Sequence, residues 1–199
     1  MMKIEVKGFE AVIKKFDTLA KESQEKVQIA LNTWADKTAQ DAKSLVSEKR
    51  ITDEGALLRS INPLYGNGSA GVVANSKYAA YMEFGTRKFA ASYIGSLPPE
   101  WSAYAAQFQG PSSMGGTFKQ FVESIMAWMK RKGIKGGTYS VKTRRRKGSK
   151  QQKENEDKSV AYAIAKKIMR DGIKQRPFLY PSVLKNLPQL EKDLKEIFK

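Results

Sequence analysis

The residue types that most often carry catalysis are missing from this chain. Its 199 residues include no histidine and no cysteine, which removes the usual general base at neutral pH, the commonest metal ligand and any thiolate site. Phosphate-binding Gly-x4-Gly-Lys-Ser/Thr, Gly-x-Ser-x-Gly and calcium-loop motifs are also absent. Hydrolytic chemistry would depend on carboxylates or lysines alone. The sequence therefore predicts a protein that is not an enzyme and that uses no cofactor, metal or nucleotide.

One acid stands where burial could change its chemistry. Glu83 lies between Met82 and Phe84, and a carboxyl group buried among apolar side chains has a raised pKa. The chain has 36 basic residues against 20 acidic ones, so pairing with a lysine or an arginine is the more ordinary use of such an acid. The sequence predicts a structural ion pair at Glu83.

Positive charge is concentrated in one segment. The formal net charge is +16, and the stretch from Lys130 to Lys150 holds ten basic residues and no acid. Such a cluster indicates a polyanion or an acidic protein surface as partner, and a solvated loop without a partner is the alternative. The candidate contact residues are Lys142, Arg144, Arg145, Arg146, Lys147 and Lys150.

A long amphipathic helix from Ser23 to about Glu48 is the main predicted element of the fold. Ser23 is a plausible N-cap, and the opposite face of the helix is charged. A short strand at Ile4–Val6 and a helix from Phe9 to Leu19 are predicted before it. The apolar stripe of the long helix comprises Val27, Ala30, Leu31, Trp34, Ala35, Thr38, Ala39, Ala42, Leu45 and Val46.

A hairpin and a short helix are predicted next. Two apolar runs between residues 60 and 75 flank Asn67-Gly68, which is typical of a two-residue β-turn, and Pro63 would place the first strand at an edge. Residues 77–84 predict one or two helical turns ended by Gly85, which would supply a positive φ. Tyr78, Tyr81 and Phe84 are three residues apart and could pack on one face.

Residues 87–158 are predicted to form an insertion. Its first part, to residue 116, combines glycines and prolines with aromatic residues and indicates an irregular, partly packed segment. A helix at about 117–132 follows, and a basic exposed loop is predicted at about 133–158. Another helix spans 159–171 and ends at Gly172. Residues 176–181 are predicted to be extended by their prolines, and a last helix carries Leu187, Leu190, Leu194 and Ile197.

Three separated segments resemble motifs of the phage tail-component family, whose members act as tail-completion or head–tail joining proteins. The segments are Gly55–Ile61 (GALLRSI), Tyr78–Thr86 (YAAYMEFGT) and Arg176–Pro181 (RPFLYP). Members typically show Thr-Gly-x-Leu-x-x-Ser-Ile, Tyr-Ala-x-x-x-Glu-Phe-Gly-Thr and Pro-Phe-Leu-x-Pro, and the second motif is matched nearly in full. Glu54 stands where the family has threonine, so this loop is expected to be capped differently. The motif residues are Gly55, Leu57, Ser60, Ile61, Tyr78, Ala79, Glu83, Phe84, Gly85, Thr86, Pro177, Phe178, Leu179 and Pro181.

The resemblance covers residues 1–86 and 159–199 and implies both a fold and a role. The fold is a single α+β domain over 1–199, with a small, mostly antiparallel sheet packed against the long helix, a helical insertion and a C-terminal helix. The role is that of a virion protein at the head–tail junction, assembled in the host cytoplasm. The implied partners are further copies in a homo-hexameric ring, the neighbouring neck and tail-tube proteins, and viral DNA passing through without sequence specificity. No apolar run approaches the ~20 residues of a membrane helix, so no membrane partner is expected.

Two other classes of function compete with this interpretation. A nucleic-acid-binding protein would use residues 130–150 on phosphates, with Tyr139 as a stacking residue, but no groove-reading module matches the sequence. A nuclease or a peptidoglycan hydrolase would need the missing histidine or a cluster of carboxylates. Ring formation without tight DNA binding favours the structural protein, whereas a monomer with steeply salt-dependent DNA binding favours the second class.

The basic segment carries a specific expectation. Residues 142–150 are expected to be disordered in the free subunit and to be placed against an acidic protein neighbour or DNA. The protein neighbour is favoured, because tight phosphate contacts would hinder DNA that must slide. Because this loop is not expected to belong to the core, replacement of Arg144, Arg145 and Arg146 by serine is expected to leave the melting temperature nearly unchanged.

Overall fold

The computed structural model describes residues 2–5, 21–51, 54–108 and 117–198. Within these ranges the fold consists of a small sheet and eight helices. The strands are β1 (Met2–Glu5), β2 (Ile61–Gly66) and β3 (Ser69–Ala74). The helices are α1 (Lys21–Glu48), α2 (Ala56–Ser60), α3 (Ala79–Phe84), α4 (Arg87–Ile94), α5 (Pro99–Ala106), α6 (Phe118–Lys132), α7 (Lys150–Asp171) and α8 (Leu179–Ile197).

The sheet is antiparallel and has the strand order β1-β3-β2. Ala74 of β3 pairs with Met2 on one side and with Ile61 on the other. The predicted hairpin is confirmed, with Asn67 and Gly68 as its two-residue turn. In the described part of the chain β2 pairs only with β3, so Pro63 lies on an edge strand as predicted. Strand β1 begins two residues earlier than predicted, and the helix predicted at 9–19 lies outside the described residues.

Helix α1 lies across the sheet and against α8. The predicted apolar stripe is buried along its whole length, except that Leu45 is only half-buried. Ser23 lies inside the helix, so its prediction as the N-cap is wrong. The reason is that Lys21 and Glu22 are good helix formers, and Glu22 pairs with Lys26 one turn later at 2.7 Å. The predicted α+β class, with a small sheet on a long amphipathic helix, is confirmed.

The first part of the insertion is more regular than the sequence suggested. Residues 87–106 form the helices α4 and α5 instead of an irregular segment. Pro98 and Pro99 do not break structure here. Pro99 is the first residue of α5, where its missing N–H needs no partner and its fixed φ suits the helix. The aromatic side chains of this part pack against the main core.

Helices α6 and α7 form a hairpin with its own small core of Val122, Ile125, Met129, Ala161 and Ala165. Helix α6 and its end at Gly133 are confirmed. Helix α7 begins at Lys150, so the prediction of a loop up to residue 158 is wrong. Ser149 and Gln152 cap α7 reciprocally. The first nine residues of α7 are all polar, so no apolar period revealed them.

The chain between α7 and α8 is shorter than predicted. Gly172 ends α7 as expected. Helix α8 already includes Leu179, Tyr180 and Pro181, which were predicted to be extended. Pro181 is tolerated because the first turn of a helix has no internal partner for its N–H groups. None of the described helices is long and apolar enough to cross a bilayer.

The buried face of α1 yields a stability prediction. Trp34 is 4% exposed in the main core, so Trp34→Ala should lower the free energy of unfolding by about 3–5 kcal/mol. Ile29→Ala is the matched control on the same helix, because Ile29 is 65% exposed, and it should change stability by less than about 0.5 kcal/mol. Chemical denaturation measures both variants, and equal stability of Trp34→Ala and the wild type would contradict the assignment of this core.

Candidate functional site

The three sequence motifs meet in space at the N-terminal end of α8. We call this place the motif junction and define it by residues 55–61, 78–86 and 172–181. The first and second motifs are joined because the Leu57 N–H donates to the Tyr78 hydroxyl at 3.1 Å. The second and third motifs are joined through Glu83, which lies on α3 and faces the start of α8. Motifs that are far apart in the sequence thus form one continuous structural feature.

Glu83 caps α8 from outside the helix. Its carboxylate accepts hydrogen bonds from the backbone N–H groups of Phe178 (2.7 Å), Leu179 (2.9 Å) and Tyr180 (2.9 Å). These are donors that a helix cannot satisfy internally, and the next residue, Pro181, has no N–H group. A negative charge at a helix N-terminus is also favoured by the helix dipole. The start of α8 is therefore fully satisfied by a side chain 95 residues away.

The environment of Glu83 differs from the predicted one. Glu83 is completely buried, and its partners are backbone N–H groups, so the prediction of an ion pair with a lysine or arginine is wrong. Burial raises the pKa of this carboxyl group, while the three N–H donors and the charge of Lys49 act to lower it. The Lys49 ammonium group instead donates to the Pro177 carbonyl. A carboxylate enclosed in this way has no access to a substrate and is used structurally.

Two glycines allow the chain to cross itself closely beside Glu83. Gly85 ends α3 with φ of 76°, as predicted, and a Cβ at this position would lie 3.0 Å from the Ile173 carbonyl oxygen. At Gly172, φ is 90°, and a Cβ would lie only 2.2 Å from the Thr86 carbonyl oxygen. Only glycine fits both the left-handed backbone and the available space. The two chain segments are thereby held in direct backbone contact.

Backbone hydrogen bonds complete this crossing. The Thr86 N–H donates to the Ile173 carbonyl at 2.9 Å, and the Ile173 N–H donates to the Thr86 hydroxyl at 2.7 Å. One turn away, the Arg176 N–H donates to the Met82 carbonyl at 2.7 Å. The threonine of the second motif therefore bridges the two segments, and no residue near it in the sequence indicates this role.

The first motif forms a compact turn before β2. Gly55 adopts φ of 72° at the start of α2, and the Ser60 hydroxyl donates to the Leu57 carbonyl at 2.8 Å. Leu57 and Ile61 are fully buried. No side chain caps α2, and Glu54 instead pairs with Arg131 of α6 at 3.3 Å. The loop thus departs from a threonine cap, as expected, and also contacts the insertion.

Aromatic side chains of the insertion cover the motif junction. The ring of Phe84, which is fully buried, stacks on Phe108 at 6.1 Å and meets Tyr104 edge-on at 6.2 Å. The ring of Trp101 lies 4.4 Å from that of Tyr180 on α8. Ala79, Phe178 and Leu179 are fully buried as well, whereas Tyr78, Tyr81, Pro177 and Pro181 are half-buried. Helices α4 and α5 therefore protect Glu83 and the start of α8 from water.

The basic segment is folded, in contrast to the expected disorder. Tyr139 and Arg146 form an antiparallel bridge. On either side of it, the Ser140 N–H donates to the Arg145 carbonyl and the Lys147 N–H donates to the Thr138 carbonyl, each at 2.9 Å. Residues 138–147 thus form a small two-stranded ribbon at the end of the α6–α7 hairpin, which we call the basic tip.

Arg146 attaches the basic tip to α7. Its guanidinium group donates to Asp157 at 3.1 Å, to Glu156 at 3.1 Å and to the Lys153 carbonyl. Hydrogen bonding to Asp157 raises the pKa of Arg146, and the same bond lowers the pKa of Asp157. Arg146 therefore holds the basic tip against α7, and its guanidinium group is not available to an external partner as the sequence suggested. The acidic pair Glu156-Asp157, ten and eleven residues later, was the signal that could have revealed it.

The other predicted contact residues remain on the surface. Lys142, Arg144, Arg145, Lys147 and Lys150 are all exposed. The structure therefore separates the six candidates into one internal residue and five external ones. Among the described residues no group of three or more acidic side chains is placed to hold a metal ion.

Removing the charge of Glu83 tests the motif junction. Glu83→Gln keeps one acceptor oxygen but places an NH2 group against backbone donors, so it should lower the free energy of unfolding by about 2–4 kcal/mol. Glu191→Gln is the matched control, because Glu191 is exposed on α8, and it should change the free energy of unfolding by less than about 0.5 kcal/mol. Denaturation curves that are identical for Glu83→Gln and Glu191→Gln would refute the capping role.

Arg146 and Arg145 should differ in a direct comparison. Arg146→Gln removes the ion pairs with Asp157 and Glu156. The Gly136 N–H donates to Asp157 and the Lys147 N–H donates to the Thr138 carbonyl of the ribbon, so both amides should exchange with solvent faster than in the wild type. Arg145→Gln changes the same charge on the exposed side and should leave these exchange rates unchanged. Hydrogen exchange read by NMR measures both variants. Equal exchange rates in the two variants would show that the fold of the basic tip does not depend on Arg146. This result would agree with the expectation that Arg144, Arg145 and Arg146 can all be replaced without loss of stability.

The comparisons with known proteins agree with the resemblance. Residues 10–85 match the family model described as "Bacteriophage HK97-gp10, putative tail-component". No curated protein and no solved structure matches the chain. The matched range includes the first motif and the second motif up to Gly85, whereas Thr86 and the third motif lie outside it, although the structure joins all three motifs. The match supports a structural, virion-located protein of the phage tail region, and over residues 10–85 it confirms that this chain is similar to the phage tail-component family.

Proposed function

We propose that this protein is a ring-forming subunit of the phage head–tail junction, where it joins the tail tube to the head connector. In this proposal six copies form the ring, the partners are neighbouring neck and tail-tube proteins, and viral DNA passes through the ring without sequence-specific contacts. The family match supports a protein of the tail region. The proposed role as a ring subunit is supported by the motif junction, because the buried carboxylate of Glu83 is used there to hold the subunit together.

A closed ring requires a subunit of fixed shape. Each subunit contacts the next through two different surfaces, and the ring closes only if the angle between these surfaces is the same in every copy. The motif junction locks α8 to α3 and to the turn before β2, while α1 packs against the sheet and α8. Since these elements form a continuous core, they can hold two subunit surfaces at a constant angle.

Exposed apolar residues on this body suit a subunit contact. Ile29 on α1 and Tyr65 on β2 are 65% and 57% exposed. The side chain of Gln28 accepts a hydrogen bond from the Gly68 N–H at 2.8 Å, so this part of α1 lies beside the turn of the hairpin. Among the described residues β2 pairs with a strand on one side only, so its outer edge suits pairing with a strand of another subunit. We assign one side of the ring contact to this region.

Substitution of Ile29 tests the proposed ring. The wild type, alone or with isolated tail tubes, should form six-subunit particles with a central opening, measured by mass photometry and electron microscopy. Ile29→Asp should abolish these particles, because it places a charge in an apolar contact, and should keep the melting temperature of the monomer. Leu184→Asp is the control, since Leu184 is 50% exposed on α8, and it should still form rings. A wild-type chain that stays monomeric both alone and with tail tubes would contradict the proposal.

A further inference from the structure

We propose that the basic tip, residues 138–147, is a binding site for the phosphates of duplex DNA. The proposal rests on the proposed function for one step, namely that DNA passes the subunit, and otherwise on the geometry and charge of the tip. It concerns a surface that the motif junction does not use.

The ribbon sorts its basic side chains onto different sides. Side chains alternate between the two faces of an extended strand, and Arg146 turns towards Glu156 and Asp157 on α7. Its neighbours Arg145 and Lys147 therefore belong to the opposite face, and both are exposed. Lys142 and Arg144 lie in the connecting turn and are exposed as well. The tip presents these four charges on a folded support, so little order has to be created when a ligand binds.

The acidic residues closest to the basic tip already form ion pairs within the chain. Glu156 and Asp157 are both engaged by Arg146, and no acidic residue occurs between positions 130 and 150. In the described part of the chain no salt bridge involves Lys142, Arg144, Arg145 or Lys147. Like charges held together repel each other, and the negative charge that would offset this repulsion must come from a partner.

Arg144 lies at the end of the turn of the ribbon. Its φ of 53° is in the left-handed region, which is common for the last residue of such hairpin turns, and its N–H donates to the Ser140 carbonyl at 2.8 Å. The turn therefore holds the backbone of Arg144 in a defined position. An arginine in this place projects a planar group with several N–H donors, which suits phosphate oxygens.

DNA fits the tip better than the other polyanionic surfaces. A second copy of this chain is a poorer match, because the chain outside residues 130–150 still has six more basic than acidic residues and its net charge repels the tip. An acidic protein was favoured from the sequence because DNA must slide. However, phosphate contacts that read no bases allow a protein to slide along DNA. Four such contacts are weak enough to break and re-form as the duplex moves.

The experiment compares two variants with equal loss of charge. The tip variant R144Q/R145Q/K147Q removes three exposed charges from the ribbon. The control variant K37Q/K192Q/K195Q removes three exposed lysines from α1 and α8. Binding of full-length protein to a fluorescent 30-base-pair duplex of arbitrary sequence is measured by anisotropy between about 50 and 200 mM NaCl, a range in which phosphate contacts show a strong salt dependence.

The tip variant should bind at least about tenfold more weakly than wild type at the lowest salt. Its slope of log affinity against log salt should be smaller by about 2.7, since each phosphate contact contributes about 0.9. The control variant should stay within about twofold of wild type. Equal losses in the two variants would overturn the proposal, because the binding would then depend only on net charge. Unchanged binding by the tip variant would overturn it as well.

A third variant separates DNA from an acidic protein partner. Val141, the first residue of the turn, is 97% exposed, and a protein partner would bury it whereas a phosphate backbone would not. V141S should therefore bind the duplex like wild type and should still join heads to tails. Loss of head–tail joining in V141S, with DNA binding of the tip variant unchanged, would assign the tip to a protein partner.

Light scattering on the same samples separates the DNA site from the proposed function. If rings form but DNA binding does not depend on the tip, only the DNA site is refuted. If DNA binding depends on the tip but no rings form, only the proposed function is refuted.

Discussion

The capping of α8 by the carboxylate of Glu83 is the interaction on which the rest of the structure depends. A helix that begins inside a core leaves N–H groups without partners, and each unsatisfied group costs free energy. Glu83 satisfies three of these groups at once. The buried start of α8 then allows Phe178 and Leu179 to enter the core and allows α8 to pack along α1. Without this acid the same apolar contacts would have to offset three buried donors.

The α6–α7 hairpin is connected to the body through polar contacts and has a core of its own. Thr86 and Ile173 bond at its base, Lys88 of α4 pairs with Asp171 of α7 at 2.9 Å, and Glu54 pairs with Arg131. The hydrogen bonds of Arg170 and Lys88 hold the pKa of Asp171 far below its usual value. Helices α4 and α5 shield the motif junction, whereas α6 and α7 extend to the basic tip. One inserted segment thus contributes to the stability of the body and also presents a separate surface.

Local patterns in the sequence predicted the local structure and missed the contacts between distant residues. The helical period of Val27, Leu31 and Trp34, the Asn67-Gly68 turn and the glycine ends of the helices were all found because their signal lies within a few residues. The role of Glu83 could not be found in this way, since its donors are about 95 residues away. Likewise, Arg145 and Arg146 are chemically identical in the sequence, and only the pairing of the ribbon decides which one faces Asp157. The polar start of α7 was missed because its stability comes from a capping box and not from an apolar face.

The motif junction can be observed directly through the three backbone amides whose hydrogen bonds Glu83 accepts. Hydrogen exchange of the Phe178, Leu179 and Tyr180 amides in the full-length wild type measures whether they are released only when the whole domain unfolds. These three amides should exchange as slowly as the amides of the central strand β3. Exchange at the rate of exposed amides, under conditions where β3 remains protected, would show that Glu83 does not hold the start of α8.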